Sequence, residues 1–323
     1  MTDQRFDVSG KSVWVAGHTG MVGSAVVRKL ADEQISKLLV ATSGEVDLRR
    51  QEETEEFVMS SRPDAAIVAA AKVGGIEANR TAQADFLYDN LMIAANCLRA
   101  CQMAGVKKVV VLGSSCIYPA ESPQPIREEY FMTGPLEPTN EGYAIAKIAA
   151  LEYGLMLRRQ YGMEIVSMMP TNLYGPGDNY NPKTSHVLPA LILKTHNAKL
   201  AGDKTMTLWG SGKPRREFLH VDDLADAVTF VLKSYSEEEH LNVGTGKDIP
   251  IAELAQLIAD VVGWSGEFVL DTSMPDGVAR KLLDISRLES LGWNPKISLR
   301  DGIRMTYESF LEEGGGSDPA TRT

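Results

Sequence analysis

A tyrosine and a lysine four positions apart, Tyr143 and Lys147, lie in the segment EGYAIAKIAALEYG, which predicts a helix. Side chains at i and i+4 share one helix face, so the phenol and the ammonium would be neighbours. A nearby ammonium favours the phenolate and should lower the tyrosine pKa from about 10. Such a tyrosine can donate a proton to a carbinol oxygen or accept one from it. The spacing alone is a weak signal, because it also occurs by chance on amphipathic helices.

Ser114 directly follows an apolar segment, Val109–Leu112, that predicts a buried strand. A hydroxyl at the end of this strand would hold a substrate carbonyl beside Tyr143. Ser115 is an alternative for the same role, and either serine could simply turn the chain after the strand. Because Tyr143 and Lys147 are also present, we assign the catalytic hydroxyl to Ser114.

A glycine-rich turn follows the first predicted strand, Ser12–Ala16, and opens a helix from about Met21 to Asp32. Such a turn provides a bend without Cβ, a close backbone approach to pyrophosphate, and tight helix packing. The helix N-terminus adds N–H groups that favour phosphate. A purely structural turn is the alternative, but the order of strand, turn and helix favours a dinucleotide site. Its residues are Gly17, His18, Thr19, Gly20, Met21, Val22 and Gly23.

The end of the second predicted strand, Leu38–Ala41, should contact the adenosine ribose of the cofactor. An NAD site usually has an acidic residue there, about 20 residues after the glycines. This chain has Thr42-Ser43-Gly44 instead, which removes the repulsion against a 2′-phosphate, so we expect NADP(H). The side chains near this end of the cofactor are His18, Ser43, Asp47, Leu48 and Arg49.

Strands and helices alternate along the first half of the chain. This order predicts a parallel sheet with right-handed crossovers, that is, a Rossmann-type doubly wound α/β fold. Further strands are expected at Ala65–Ala70, Val109–Leu112, Glu164–Met168, Met206–Trp209, Leu241–Val243 and Phe268–Leu270. Further helices are expected near Thr81–Ala104, Gly142–Tyr161, Val187–His196, Val221–Lys233 and Ile251–Val262.

After Pro170 the composition becomes rich in Asn, Gly and Pro over residues 171–183, which is typical of a ligand-binding loop. We therefore expect two interleaved domains. Residues 1–170, with about 215–245, would form the NADP-binding domain. Residues of about 171–214 and 246–312 would form a smaller α/β substrate domain, and 313–323 a disordered tail.

Composition excludes several classes of protein. The 323 residues carry a net charge of −10, so a general basic surface for nucleic acid is absent. The N-terminus does not resemble a signal peptide, and no apolar run reaches the ~18–20 residues of a membrane helix. Three cysteines favour a reducing cytoplasm over a disulfide framework. Cys97 and Cys101 should share a helix face in the core, and we expect no metal site.

In combination these motifs resemble the extended short-chain dehydrogenase/reductase family, in particular its 3,5-epimerase/4-reductases of GDP-4-keto-6-deoxy-mannose. Some members carry Arg at the positions of His18 and Ser43, and this chain does not. The resembling stretches, from about residue 10 to 312, are GHTGMVGSA, AAAKVGGI, LGSSCIYP, EPTNEGYAIAK, MPTNLYGPGDN, SHVLPAL, WGSGKPRREFLHVDD, NVGTG and PDGVARKLLD.

The resemblance implies that one site performs two kinds of chemistry, giving GDP-L-fucose by epimerisation and NADPH-dependent reduction. The 4-ketone of the substrate acidifies the protons on carbons 3 and 5, which must leave and return on opposite faces. Cys116 and His186 match the family positions of this acid/base pair. A thiol of pKa near 8.5 and an imidazole near 6.5 suit such proton transfers. From the residues alone, a buried cysteine and a loop histidine remain the simpler alternatives.

The resemblance also implies binding residues and a homodimer through the two long helices near 81–104 and 142–161. It places the nicotinamide end of the cofactor beside the segment after the fifth strand. The cofactor contacts there are assigned to Leu112, Gly113, Ser114, Ser115, Lys147, Pro170, Thr171, Asn172, Leu173 and His186. The nucleotide-sugar contacts are assigned to Lys194, Trp209, Arg216, Asp276 and Lys281, although each charge could instead be a solvated surface residue.

Two alternatives remain open. The first is another nucleotide-sugar enzyme of the same family, a 4-epimerase or a 4,6-dehydratase with retained NAD. A dehydratase should carry an acidic pair just after the strand-end serine, where this chain has Ser115-Cys116. The second is a non-catalytic nucleotide-binding regulator on the same fold. Such a protein would be expected to lack Tyr143 or Lys147, and this chain has both.

Overall fold

The computed structural model describes residues 6–273 and 276–315, so the predicted tail lies outside the described residues from position 316 onwards. The strands are β1 Ser12–Ala16, β2 Lys37–Leu39, β3 Ala65–Val68, β4 Lys108–Leu112, β5 Glu164–Pro170, β6 Asn172–Tyr174, β7 Thr205–Trp209, β8 Arg215–His220, β9 Leu241–Val243, β10 Asp248–Pro250, β11 Glu267–Asp271 and β12 Arg280–Lys281. The helices are α1 Met21–Leu30, α2 Gln51–Ser61, α3 Ile76–Thr81, α4 Gln83–Ala104, α5 Glu141–Tyr161, α6 Val187–Ala201, α7 Val221–Ser234, α8 Ile251–Val262, α9 Ser286–Ser290 and α10 Leu299–Glu312.

Six parallel strands form the larger sheet, in the order β2-β1-β3-β4-β5-β9. Helices α1 and α7 cover one face, and α2, α4 and α5 cover the other. Every residue of β3 and β4 is buried, as expected for apolar strands between two helical layers. This arrangement confirms the predicted Rossmann-type fold.

The strand order reverses at β1, which lies between β2 and β3. In open α/β sheets, ligands bind outside the carboxyl ends of the strands at such a reversal. The carboxyl ends of β1, β4 and β5 lead into the glycine turn, Ser114 and the segment after Pro170, respectively. Three distant parts of the sequence therefore meet at one edge of the sheet.

A second layer forms from the later part of the chain. Strand β8 pairs with β6, β10 and β12, while β7 pairs with β11. Helices α6, α8 and α10 enclose a separate apolar core beside these strands. We had grouped residues from about 215 with the first domain. However, β8 pairs with the strands of this second layer, although its Leu219 packs in the core of the first, and the following α7 and β9 belong to the first layer.

Several elements differ from the sequence-based prediction. The long helix expected over about Thr81–Ala104 is α4, which begins at Gln83, and a separate short helix that was not predicted, α3, ends at Thr81. Helix α2 was missed because its sequence, QEETEEFVMSS, is polar and buries only Thr54 and Val58. The short strands β6, β10 and β12 have two or three residues each, too few to show a period. Strand β8 and helices α9 and α10 were also not predicted.

Three further features concern the cysteines of α4, membrane-spanning helices and metal sites. Cys97 and Cys101 are free and fully buried in the core against α2, α4 and α5, which confirms that they pack there. Across the described ranges, no helix has the length and apolar character needed to cross a membrane. The same part of the chain contains no cluster of His, Cys, Asp and Glu that could hold a metal ion.

Candidate active site

The glycine turn after β1 is shaped by two close backbone approaches. Gly17 has a φ of +82°, and a Cβ there would lie 2.6 Å from the Cα of Ala70. A Cβ on Gly23 would lie 2.0 Å from the carbonyl oxygen of Gly17. Only glycine fits these two positions, and the turn therefore brings the start of α1 directly against the end of β1.

The start of α1 provides donors for an anion. Gly20 occupies the N-cap position, and none of the described side chains caps this end of the helix. The N–H groups of the first turn, at Met21, Val22 and Gly23, thus lack partners within the helix. These N–H groups and the helix dipole fit a pyrophosphate, as the sequence predicted.

His18 lies inside the turn, while Thr19 is exposed. The Nδ1 atom of His18 is buried without a hydrogen-bond partner among the described residues. A buried nitrogen of this kind needs a partner from a bound group, because leaving it unpaired is costly. The turn therefore fits a dinucleotide through both its backbone and this side chain.

The loop after β2 contains an acid that the sequence analysis overlooked. The carboxylate of Glu45 accepts hydrogen bonds from the N–H and the hydroxyl of Thr42, at 2.7 and 2.8 Å. These bonds, together with the charge of His18, hold the Glu45 pKa below its usual range. The spacing Thr-x-x-Glu, which is typical of a capping box, could have revealed this contact. Ser43 is exposed in the same loop.

Arg49, which we expect near the 2′-phosphate, pairs with acidic side chains in the structure. It makes two hydrogen bonds to Asp47, at 2.9 and 2.8 Å, and lies 3.6 Å from Asp89. Asp89 also pairs with Lys72 at 2.8 Å. The predicted cofactor residue Asp47 is thus held by Arg49. Leu48 is half-buried beside the core under α2.

Ser114, Tyr143 and Lys147 come together between β4 and α5. The hydroxyl of Ser114 accepts the N–H of Cys116 at 3.3 Å, and it lies near enough to the Tyr143 phenol to act toward a lower pKa of that group. Lys147 donates to the carbonyl oxygen of Leu112 at 2.8 Å, and its Nζ lies 5.6 Å from the centre of the Tyr143 ring. Ser114 therefore caps the turn after β4 and also lies beside the tyrosine. Its structural role in the turn is compatible with the predicted catalytic role.

The pKa of Tyr143 is raised, which contradicts the expected lowering by Lys147. Burial of the phenol dominates, and the nearby thiol of Cys116 adds to the increase, while the Ser114 hydroxyl opposes it. The Lys147 ammonium faces the ring and the Leu112 carbonyl instead of the phenol oxygen. Tyr143 therefore keeps its proton at neutral pH and is suited to donate it.

Lys147 is 8% exposed, and burial lowers its pKa to about 8. An ammonium loses solvation when it is buried, so its neutral form is favoured. The single carbonyl contact to Leu112 replaces only part of that solvation. Near neutral pH, Lys147 is thus charged but holds its proton weakly.

Cys116 lies in the short 3-10 turn Ser115–Ile117 and is 5% exposed, as is Ser115. Burial raises the pKa of its thiol, while Lys281 and Lys147 act in the opposite direction. The thiol therefore lies near Lys147, a predicted catalytic residue, and near Lys281, a predicted substrate cation.

His186 occupies a different part of the site. It precedes α6 as the N-cap residue, and its side chain is exposed at the rim although protein atoms around it lower its pKa. The preceding residue, Ser185, packs its carbonyl against Gly75, where a Cβ would lie only 2.5 Å away. Among the described residues, no hydrogen bond joins His186 to the group around Cys116.

The predicted nicotinamide segment crosses from β5 to the second layer. Thr171 donates its N–H to the carbonyl of Val243 at 2.9 Å and is buried. Asn172 donates from its side chain to the carbonyl of Glu217 at 2.8 Å, and Leu173 packs against the core beside α1 and α7. Gly113 allows β4 to approach β5, since a Cβ there would lie 2.3 Å from the Met169 sulfur.

The predicted substrate residues form two groups. Lys281 and Arg216 are paired neighbours on β12 and β8, and Arg216 also donates to the carbonyl of Val278 at 2.6 Å. Lys194 lies 4.5 Å over the ring of Trp209, which is 61% exposed. These two groups would place cations and an aromatic surface beside an anionic nucleotide.

Asp276 is engaged within its own loop. It accepts the N–H and the hydroxyl of Ser211, at 2.8 and 2.6 Å, and these bonds lower its pKa. The Asp276 carboxylate is close to Gly210, since a Cβ on that glycine would lie only 2.4 Å from one of its oxygens. Asp276 thus holds the turn after β7 next to Trp209, and its predicted contact with substrate is indirect in this arrangement.

A family model described as the NAD dependent epimerase/dehydratase family matches residues 13–244. A protein from Sinorhizobium fredii (strain NBRC 101917 / NGR234) named GDP-L-fucose synthase is 54% identical over 304 residues, or 94% of this chain and 96% of that one. The Escherichia coli (strain K12) protein of that name is 48% identical over 314 residues, or 94% and 98% of the two chains.

A solved structure extends the similarity to the fold. The crystal structure of a GDP-L-fucose synthetase from Naegleria fowleri bound to NADP aligns with a TM-score of 0.88 and 30% identity. The alignment covers 97% of this chain and 98% of that one. These relatives agree with the resemblance that the motifs indicated.

Replacing Lys147 with methionine should change how stability depends on pH. The folded-state pKa of about 8 lies below the ordinary lysine pKa of 10.5. Between these values the unfolded chain binds the proton and the folded chain does not, so Lys147 makes stability rise with pH. We expect the free-energy difference between Lys147→Met and wild type to shift by about 2–3 kcal/mol in favour of wild type from pH 7 to pH 10. Urea unfolding at each pH measures it, and parallel curves for the two proteins would contradict the assignment.

Proposed function

This chain belongs to the NAD dependent epimerase/dehydratase family, and from this premise we propose that it converts GDP-4-keto-6-deoxy-D-mannose to GDP-L-fucose with NADPH. The reaction combines 3,5-epimerisation with 4-reduction. The observation that carries the proposal is the position of the Cys116 thiol beside Tyr143, Lys147 and Lys281. Groups for ring-proton transfer and for carbonyl reduction thus share one pocket.

For reduction, a nicotinamide cofactor held by the glycine turn would supply a hydride to carbon 4 of the sugar. Tyr143 retains its proton and donates it to the oxygen of that carbon as negative charge develops. Ser114 holds the same oxygen through its hydroxyl, and Lys147 keeps a positive charge at the end of β4. The glycine turn and the start of α1 hold the pyrophosphate.

For epimerisation, Cys116 and His186 move protons at the carbons on either side of the ketone. Both have neutral forms near pH 7, because burial raises the pKa of the Cys116 thiol and the protein atoms around the largely exposed His186 imidazole lower its pKa. Their positions on the turn after β4 and at the start of α6 place them on different elements around the pocket. Two groups on separate elements can serve opposite faces of a sugar ring.

The 4,6-dehydratase alternative is disfavoured by the turn after β4. Such an enzyme should have an acidic pair at this point, whereas the turn presents Ser115 and Cys116. A 4-epimerase would need to retain oxidised cofactor through each turnover. Release of oxidised cofactor with each product molecule distinguishes the proposed enzyme from it.

We propose a homodimer formed through α4 and α5, which pack against each other. Both helices expose large apolar side chains, which favours an interface there. These are Tyr88, Leu91 and Met103 on α4, and Ile145, Met156 and Tyr161 on α5. We also propose that the first layer binds NADPH and the second binds the nucleotide sugar, and that the free thiols reflect a reducing cytoplasm.

NADPH is the proposed cofactor because Thr42 and Ser43 offer donors after β2, and a relative of 30% identity binds NADP. Glu45 opposes this preference, because its carboxylate already occupies the N–H and hydroxyl of Thr42. A 2′-phosphate must therefore share these donors with a negative charge. The preference for NADPH should accordingly be incomplete.

Replacing Cys116 should separate the two chemistries. In Cys116→Ser the thiol becomes a hydroxyl that does not ionise near neutral pH, while Tyr143, Lys147 and the cofactor site remain. We expect wild type with GDP-4-keto-6-deoxy-mannose and NADPH to form the L-sugar. The variant should release sugar reduced at carbon 4 without full inversion at carbons 3 and 5. NMR of the products measures reduction at carbon 4 and the configuration at carbons 3 and 5.

The matched control is Cys101→Ser, which changes a buried thiol on α4 and should keep the wild-type product. A normal L-sugar product from Cys116→Ser would return Cys116 to a packing role. Failure of wild type to convert the substrate would exclude the proposed reaction itself.

Removing the charge of Glu45 should strengthen NADPH binding. In Glu45→Gln the side chain keeps its shape but no longer repels a 2′-phosphate, so we expect about threefold tighter NADPH binding and little change for NADH. Fluorescence titration of both cofactors measures the ratio. Glu253→Gln on α8 changes the net charge equally and should leave the ratio unaltered. An unchanged ratio in Glu45→Gln would show that the loop after β2 does not contact the 2′-phosphate.

A further inference from the structure

One buried acid has no part in the chemistry described above. Glu217 lies in β8, directly after Arg216, and its side chain is fully buried. Its carboxylate accepts three backbone N–H groups, from Thr245 at 2.6 Å, Gly246 at 2.7 Å and Leu283 at 2.9 Å. A buried carboxylate is costly unless it is well hydrogen-bonded, so these three contacts must be maintained for β8 to keep its place.

The first two contacts explain the motif NVGTG after β9, which the proposed reaction does not use. Gly246 has a φ of +65°, and a Cβ on Gly244 would lie 2.2 Å from the Glu217 carboxylate. Successive N–H groups in such a turn form a concave site for an anion. Here the anion is the chain's own Glu217, so the turn anchors β8 instead of binding a ligand.

The third contact extends this anchor to Lys281. Leu283 lies two residues after Lys281, in the chain that continues β12. β12 has only two residues, and its register places Lys281 opposite Arg216 of β8. Beyond β12, the N–H groups of Leu282 and Leu283 bond to the side chains of Gln124, at 2.8 Å, and Glu217.

Lys281 and Arg216 repel each other, so their proximity needs support from the backbone. The charge of Arg216 and burial both lower the pKa of Lys281. Glu217 follows Arg216 on β8, and its carboxylate accepts backbone N–H groups from the segments after β9 and after β12. It therefore holds the two cations in register without pairing with either one, which leaves both positive charges available to a ligand.

We propose that Glu217 is a positioning residue that fixes Lys281 and Arg216 as a binding site for the diphosphate of the nucleotide sugar. This inference rests on the proposed function for the identity of the ligand. The segments REF and NVGTG would then support substrate binding by fixing the backbone that carries Arg216 and Lys281. Cofactor binding should not depend on the Glu217 carboxylate, because Thr171 and Asn172 of the predicted nicotinamide segment donate to its backbone carbonyl, which a side-chain substitution leaves in place.

The test compares two ligands in Glu217→Gln. The amide places an NH₂ group against backbone N–H donors, so the segment after β12 should move. We expect GDP to bind about tenfold more weakly, by calorimetry, and NADPH to bind within twofold of wild type. Gly244→Ala adds a Cβ that crowds the same carboxylate. It should likewise weaken GDP binding and leave NADPH binding close to that of wild type.

Asp223→Asn is the matched control. Asp223 is a buried carboxylate on α7 that accepts the N–H groups of Lys296 and Ile297, at 3.1 and 2.9 Å, away from β12. It should leave the affinity for GDP unchanged. In a Lys281→Met background, Glu217→Gln should have a smaller further effect on GDP, because part of its action passes through Lys281.

Several results would overturn the proposal. These are unchanged GDP binding in Glu217→Gln, full additivity with Lys281→Met, or parallel loss of GDP and NADPH in Glu217→Gln and Gly244→Ala. The last result would mean that Glu217 supports the fold in general. If wild type binds inorganic pyrophosphate but not GDP, the proposed nucleotide-sugar function fails while the effect of Glu217 is still measured with pyrophosphate. If it binds neither, both proposals fail.

Discussion

The hydrogen bond from Lys147 to the carbonyl of Leu112 joins α5, the helix that carries Tyr143, to β4, the strand that leads into Ser114 and Cys116. The carbonyl at the end of a buried strand has no further ladder partner, and the ammonium satisfies it. As a result, α5 has one rotation at which Tyr143 faces the turn after β4. The cofactor turn at β1 and the segment after β5 open at the same edge of the sheet, so this contact sets the geometry of the whole pocket.

Burial sets the protonation of the groups gathered at this edge. It keeps the proton on Tyr143 and on Cys116, and it loosens the proton on Lys147. Two further cations, Lys281 and Arg216, approach from the second layer. An anionic nucleotide sugar between the two layers would offset their repulsion. The layers therefore contribute different things: the first orients the reacting groups, and the second provides positive charge.

The sequence predicted the elements with strong local signals. Strand β1 and helix α8 were predicted residue for residue, because alternation of apolar and turn residues marks both ends of each. It also predicted that Ser114, Tyr143 and Lys147 would meet. It could not predict the contacts of Glu217, whose partners lie 28 to 66 positions away. The expected lowering of the Tyr143 pKa was wrong, because spacing on a helix does not reveal how deeply the phenol is buried.

The central claim is that one pocket carries out proton exchange at two ring carbons and hydride transfer at a third. The most direct measurement is turnover of GDP-4-keto-6-deoxy-mannose by the wild-type enzyme in deuterated water with ordinary NADPH, with isotope positions in the product read by NMR. We expect deuterium at carbons 3 and 5 and protium from the cofactor at carbon 4. A product with protium at carbons 3 and 5, or one reduced at carbon 4 without inversion, would contradict this claim.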